Sequence, residues 1–424
     1  LVRKLRFCTS NNRNIREELG MRKTIVGVAL SLLVALPLVL SATGSAYAKG
    51  VVRIGVTVRM LTENGQKYGR MIKDEFEAVN KAGGINGNTI EVFLLDDQCK
   101  PDIGVANVNR FIHQNKVHLV VGSTCSSVSM PIVPVTEKAK VAQIIPHSTN
   151  AKITKQGSEW VFRVSVSERF YSAVHGKWLA ENIGKKVAYL YTTDSASISF
   201  VTAYMKFMRD QYKVEPVYLE QMQETDLDFR SHLLKIKATK PDVLAIGGQS
   251  DALARLAAQS YEVGIPKKVR RVAASSASNA TFAPLAGDAA VGLAFATAFS
   301  CADDRPIAQK FVKMVRAKYQ VPCPDHDFSQ AWDLAQIVKQ TLARVDLKLT
   351  DASLAADRKA IRDGFINLPP YNGLASGPIS WCAAGTPQCR DGNRTGILVE
   401  YTKGGKDYEM GVLARVSFDP DFGL

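Results

Sequence analysis

Two tracts in which strand-like and helix-like segments alternate constrain this chain more than anything else in it. In the first tract, Val51–Val58 is valine-rich and alternating, and a helix is expected over about Tyr68–Lys81, stopped by Gly83-Gly84. Thr89–Leu95 is a second strand, and Pro101 suits the first turn of a helix reaching about Asn115. Val117–Val121 and Val141–Ile145 are short apolar runs rich in β-branched residues, the pattern of buried parallel strands, and Trp160–Val166 leads out of the unit. The pattern restarts at Glu168. Helices over Glu168–Asn182, Ser199–Gln211, Asp226–Thr239 and Asp251–Val263 precede strands over Lys186–Tyr191, Val214–Leu219, Asp242–Ile246 and Lys268–Ala273. Such alternation predicts parallel sheets covered on both faces, an α/β fold. Two runs of it predict two similar lobes. Gly292–Phe299 is strand-like, and helices follow over Pro306–Tyr319, Phe328–Val345 and Ser353–Ile366. Gly396–Tyr401 and Met410–Phe418 read as antiparallel strands.

The first 48 residues read as an upstream extension followed by an export signal. Met21-Arg22-Lys23 opens a basic segment, and Ile25–Leu40 is apolar but interrupted by Gly27, Ser31 and Pro37. Ala46-Tyr47-Ala48 has the small-x-small form of a cleavage site, so cleavage is expected after Ala48, with Lys49 as the mature N-terminus. Six cysteines follow: Cys99, Cys125, Cys301, Cys323, Cys382 and Cys389. An even number in an exported chain implies disulfides but leaves their connectivity open. Pairing of sequence neighbours is the expectation: Cys99–Cys125, Cys301–Cys323 and Cys382–Cys389. Cys323-Pro-Asp-His326 has a metal-ligand look, yet no paired short-spaced cysteines match a zinc site, and neither metal nor cofactor is expected. The formal net charge is +14, of which the first 48 residues carry +5. The remaining excess is diffuse and not interleaved with aromatics, which argues against a nucleic-acid partner.

The most informative stretch is Val117–Asn150. Gly122 ends a strand, and Ser123, Thr124, Cys125, Ser126 and Ser127 crowd the start of the next helix. Hydroxyls there accept from unpaired helix N–H groups, and the helix dipole favours an anion such as a carboxylate. A second polar loop, Pro146-His147-Ser148-Thr149-Asn150, closes the neighbouring strand. The chain has no phosphate-binding glycine loop, no dinucleotide fingerprint and no serine-hydrolase elbow. His147 has no visible nucleophile or acid partner, so no catalytic residue is expected. The pattern is that of a binder.

Several motifs, in this order and spacing, resemble the leucine/isoleucine/valine-binding type of periplasmic solute-binding protein that serves ABC transporters. They are Tyr68-Gly69, the turn from Lys81 to Gly87, Asp96-Asp97-Gln98-Cys99, the run from Val121 to Ser127, Ile145 to Thr149, and Pro241 to Gly248. The resemblance implies a type I periplasmic binding protein: two doubly wound parallel-sheet lobes joined by a three-crossing hinge. Lobe one would take 49–166 and 299–398, and lobe two 167–298 and 399–424. It also supports the Cys99–Cys125 disulfide. It implies that Ser126 and Thr149 hold the ligand carboxylate, with Thr124 beside them. The His147 carbonyl would face the ligand ammonium, and Tyr68 would line the cleft. On lobe two, Ser197, Gln249 and Ser276 stand where such proteins place aromatics and an acid. The acid is missing from Ser275-Ser276, so either Asp194 or Asp251 substitutes or the ligand lacks an amine. The implied partners are a small carboxylate, most readily a branched-chain or related amino acid, and an inner-membrane ABC permease. The implied protein is a periplasmic monomer.

Overall fold

The computed structural model describes residues 49–375, 377–382 and 387–417. The expected export signal and the cleavage site after Ala48 lie outside the described residues, as does Phe418. The order is β1 (Val51–Val58), α1 (Glu63–Lys81), β2 (Thr89–Asp96), α2 (Pro101–His113), β3 (Leu119–Gly122), α3 (Ser126–Ala139), β4 (Ala142–Ile145) and β5 (Val161–Val166). The second run is α4 (Glu168–Asn182), β6 (Val187–Thr192), α5 (Ser195–Tyr212), β7 (Tyr218–Met222), α6 (Arg230–Thr239), β8 (Val243–Gly247), α7 (Ser250–Glu262), β9 (Arg270–Ala273), α8 (Phe282–Ala286) and β10 (Leu293–Thr297). Then come α9 (Pro306–Tyr319), α10 (His326–Arg344), α11 (Leu354–Ile366), β11 (Asp391–Asn393), β12 (Thr395–Lys403) and β13 (Glu409–Ser417). No helix among the described residues is long and apolar enough to cross a membrane.

The strands form two sheets. The first has the order β11-β5-β4-β3-β1-β2 and is parallel throughout. The second has the order β13-β12-β10-β9-β8-β6-β7, parallel except where β12 pairs with β10 and β13. Burial on both faces explains the apolar runs. Leu119 and Val121 join the core under α1 and α10, whereas Val120 joins Phe111 and Ile132 on the opposite face. In each sheet the order reverses once, between β1 and β3 and between β6 and β8. Ligand crevices of open α/β sheets lie outside the carboxyl ends of strands at such reversals. The loops that follow β1, β3, β4, β6, β8 and β9 are therefore the ones to inspect.

The chain leaves the first sheet after Val166, returns after Thr297, and leaves again between Asn393 and Thr395. The boundaries expected from the resemblance are 166/167, 298/299 and 398/399. Thr395 already pairs with Ser417 and Ile397 with Thr297, so β12 runs unbroken in the second sheet. Among the segments that differ from expectation, three show the physical reason plainly. Helix α1 begins at Glu63, not Tyr68, because Thr62 Oγ1 accepts from the Gly65 N–H at 3.1 Å. At Gly65, within its first turn, a Cβ would strike the Arg59 carbonyl. Helix α5 begins at Ser195 rather than Ser199, capped by Asp194 through the Ala196 and Ser197 N–H groups. Strand β7 starts at Tyr218 rather than Val214, since Pro216 offers no N–H to a ladder.

The cysteines pair as sequence neighbours, with Cα separations of 5.5 Å for Cys99–Cys125, 5.4 Å for Cys301–Cys323 and 5.0 Å for Cys382–Cys389.

Candidate functional site

The serines after β3 divide into scaffold and lining. Gly122 ends the strand at φ +143°, where a side chain would run into the Thr57 carbonyl. Ser123 is fully buried. Its hydroxyl donates to Asp97 Oδ2 at 2.6 Å and accepts from the Cys125 N–H at 3.1 Å. Ser129 Oγ accepts from the Ser123 N–H at 2.8 Å, and the Ser148 hydroxyl donates to the Ser123 carbonyl at 2.8 Å. Asp96 accepts from the N–H groups of Met60 and Gln98. The acidic pair at the end of β2 is therefore turn scaffolding. The Cys125 carbonyl takes the Val128 and Ser129 N–H groups, which leaves those of Ser126 and Ser127 as first-turn donors of α3.

What this scaffold presents is an inner cavity of about 130 Å³. Tyr68, Thr124, Ser126, His147 and Thr149 line it from the first sheet, and Gln249 and Ser276 line it from the second. Tyr68 Oη donates to Thr124 Oγ1 at 3.2 Å, and Ser126 Oγ accepts from the Asn150 N–H at 3.2 Å. Ser276 donates to the Gly248 carbonyl, and Gln249 Nε2 to Asp194 Oδ1 at 3.0 Å. Ser197 is the one expected lining residue that the fold turns away. The first turn of α5 buries it against Gly247, while its neighbours Ala196 and Ile198 line the opening. The inner cavity opens into an outer chamber of about 770 Å³, and Arg59, Ser126, Gln249 and Asp251 border both. Leu61, Met130 and Ile198 give this chamber apolar wall, and Lys152, Glu224 and Arg255 give it charge.

The remaining wall of the inner cavity is the start of α10: Asp325, His326, Asp327 and Phe328. Asp325 caps that helix, accepting from the Asp327 and Phe328 N–H groups and, at 3.4 Å, from Ala280 N–H of the second lobe. Asp327 Oδ1 lies 2.8 Å from His147 Nδ1 and 3.6 Å from His326 Nε2, and the two imidazole rings are 3.9 Å apart. Burial, the largest single influence, would lower the His147 pKa, but Asp327, Asp325 and Glu168 together outweigh it and leave the imidazole raised. Burial and the neighbouring His147 push His326 down to about 3. Burial and the Asp327 charge raise Asp325. Asp327 stays below the ordinary carboxylate range, because His147 more than offsets its burial. Behind this wall, Glu168 is wholly buried at the first crossing. It accepts from the Ser275 hydroxyl at 2.8 Å, and burial is the largest influence lifting it to about 7.

Sequence reasoning missed this acidic wall. No acid stands in the segment around Ser275-Ser276 itself. Glu168, on α4, instead brings a carboxylate to Ser275. Of the two substitutes considered, Asp194 is spent on capping α5 and holding Gln249, while Asp251 borders the cavity. One signal was present. Asp325-His326-Asp327 opens a long helix two residues after Cys323 in a loop tethered by a disulfide.

A family model described as periplasmic binding protein matches residues 52–406. This chain belongs to that family. It is similar to an amino acid binding protein of Pseudomonas aeruginosa, 31% identical over 58% of this chain, and spans 64% of that relative's length. Among solved structures it resembles the branched-chain amino acid transporter substrate-binding protein of Streptococcus pneumoniae in complex with isoleucine. That likeness has a TM-score of 0.72 and 22% identity and covers 87% of this chain and 99% of the other. It also resembles an ABC-transporter solute-binding protein of R. palustris in complex with 4-hydroxybenzoate. There the TM-score is 0.74 at 17% identity, covering 88% of this chain and 99% of the other. These likenesses show a shared fold, consistent with the two α/β lobes described above.

Proposed function

We propose that this protein is an exported solute-binding monomer that captures a small carboxylate carrying an amine and delivers it to an inner-membrane ABC permease. A branched-chain or related amino acid is the first candidate. The lobes, with boundaries near 166/167, 298/299 and 394/395, close on the solute by a hinge motion. One observation carries the amine. The carboxylate donors Ser126 and Thr149 share an inner cavity of about 130 Å³ with the acids Asp325 and Asp327. An ammonium buried without a counter-charge is costly, and this wall supplies one. The apolar Leu61, Met130 and Ile198 in the outer chamber suit an aliphatic side chain. The pocket binds and positions solute and performs no chemistry on it.

The R. palustris complex keeps a second reading in play, an aromatic acid without an amine, held in the inner cavity whose wall includes Tyr68 and Phe328. A thermal-shift panel of amino acids against their deaminated analogues and hydroxybenzoates tests the choice. A ligand at ~100-fold above its Kd stabilises by about 2.7 kcal/mol. Shifts with amino acids alone support the amine. Shifts with the acids alone reject it and leave the carboxylate reading standing.

A further inference from the structure

We propose that His147, His326 and Asp327 form a binding site for one divalent transition-metal ion, such as Zn²⁺, at the floor of the cleft. The two histidines come from a loop after β4 and from the start of α10, so no short sequence spacing announces the site. Their ligand atoms and a carboxylate oxygen of Asp327 all lie within 4.8 Å of one another. Ligands about 2.0–2.1 Å from a tetrahedral zinc stand roughly 3.3 Å apart. The observed 2.8 Å and 3.6 Å from Asp327 Oδ1 to His147 Nδ1 and His326 Nε2 bracket that spacing.

The His147–Asp327 ion pair at 2.8 Å explains the approach of those two groups but not the third donor beside them. Asp327 Oδ1 and His147 Nε2 are both buried without a well-directed partner among the described residues. His326 is oriented from behind, as metal-bound imidazoles are. Hydroxyls of Ser278 and Thr297 lie against its Nδ1, the former also 3.3 Å from Nε2. Two imidazoles and a carboxylate suit zinc, cobalt or nickel better than magnesium or calcium. Three protein donors leave a fourth position, and all three residues line the inner cavity, from which water or solute can reach it. The six cysteines from Cys99 onward are paired in disulfides and offer no competing thiolate.

The test uses zinc chloride alone, titrated calorimetrically into purified protein stripped with EDTA, so it does not depend on which solute the cleft takes. Saturable binding of one ion per chain is expected. It should weaken about 100-fold or more in His326→Gln and in Asp327→Asn, since losing even an outer-shell partner costs 10–100-fold. The control His232→Gln, on α6 away from the cleft, should bind as the unaltered protein does. Cobalt gives a second readout on the unaltered protein, the intense visible absorption of a four-coordinate ion, so the proposal stays testable if a variant fails to fold. No saturable binding, or binding that survives both substitutions, overturns it. Failure of the solute panel with zinc binding intact would instead remove the proposed transport role and leave the metal site.

Discussion

Replacing Glu168 by Gln should change the pH dependence of stability in a way only a buried, proton-holding carboxylate allows. Glu168 sits at the first crossing between lobes, with no exposed surface, and its Oε2 has no hydrogen-bond partner among the described residues. Burial and the neighbouring Asp194 charge raise it, hydrogen bonds from Ser275 and Thr149 and the charge of His147 lower it, and the result is about 7 against an ordinary 4.5. Below pH 4.5 folded and unfolded chains both hold the proton, so the group contributes nothing. Between 4.5 and 7 only the folded chain holds it. Stability therefore falls as pH rises through that window, because the unfolded state binds fewer protons. Above 7 both states are ionised and the cost is complete, about 3 kcal/mol at roughly 1.36 per unit. Gln keeps the shape and can still accept from Ser275, but it does not ionise. Urea unfolding of both proteins from pH 4.5 to 8.5 reads this group together with the His147 and Asp194 charges coupled to it, since the uncoupled titrations cancel in the difference. The variant should match the parent near pH 4.5 and exceed it by up to ~3 kcal/mol at pH 8. A difference independent of pH, or one that grows towards acid, refutes the reasoning.

Three further perturbations test the cleft. Ser126→Ala with Thr149→Ala removes two hydroxyls from the inner cavity. At ~1.5–3 kcal/mol for each bond to a charged group, carboxylate binding should weaken roughly 100- to 10,000-fold by calorimetry, and unchanged affinity would remove the assignment. Asp327→Asn, measured in EDTA so that no metal competes, should cut the preference for an amine over its deaminated analogue by about tenfold or more; an unchanged ratio excludes Asp327 as the counter-charge. Cys99→Ser with Cys125→Ser opens a crosslink spanning a sequence separation of 26. Unfolding free energy should fall by about 3.5 kcal/mol, and solute affinity should fall too, because Cys125 directly precedes Ser126 at the N-terminus of α3.

How much of this was legible in the sequence follows from what each feature depends on. Strand and helix identity depends on local pattern, so β1, α4 and α9 were readable within a residue or two. Boundaries failed where a single side chain decided them, as at Thr62, Asp194 and Pro216. The hydroxyl-lined wall was readable because strand end, hydroxyl cluster and helix start are contiguous from Val121 to Ser127. The acidic wall was not, because its parts are remote in sequence and meet only through topology. Glu168 belongs to a helix that the pattern reads as ordinary, and its burial comes from its place just past the first crossing, packed against Ser275 more than a hundred residues away. His147 could be seen in its loop, but its meaning lies in a partner on α10. That helix begins against the β4 loop because Asp325 is pinned by its own helix N–H groups and by Ala280. The search for an acid at Ser275-Ser276, or at Asp194 or Asp251 in its place, assumed that a role stays near its strand end. The fold shows that a carboxylate can be delivered to the same place from a different element, and the alternation of strands and helices does not encode that.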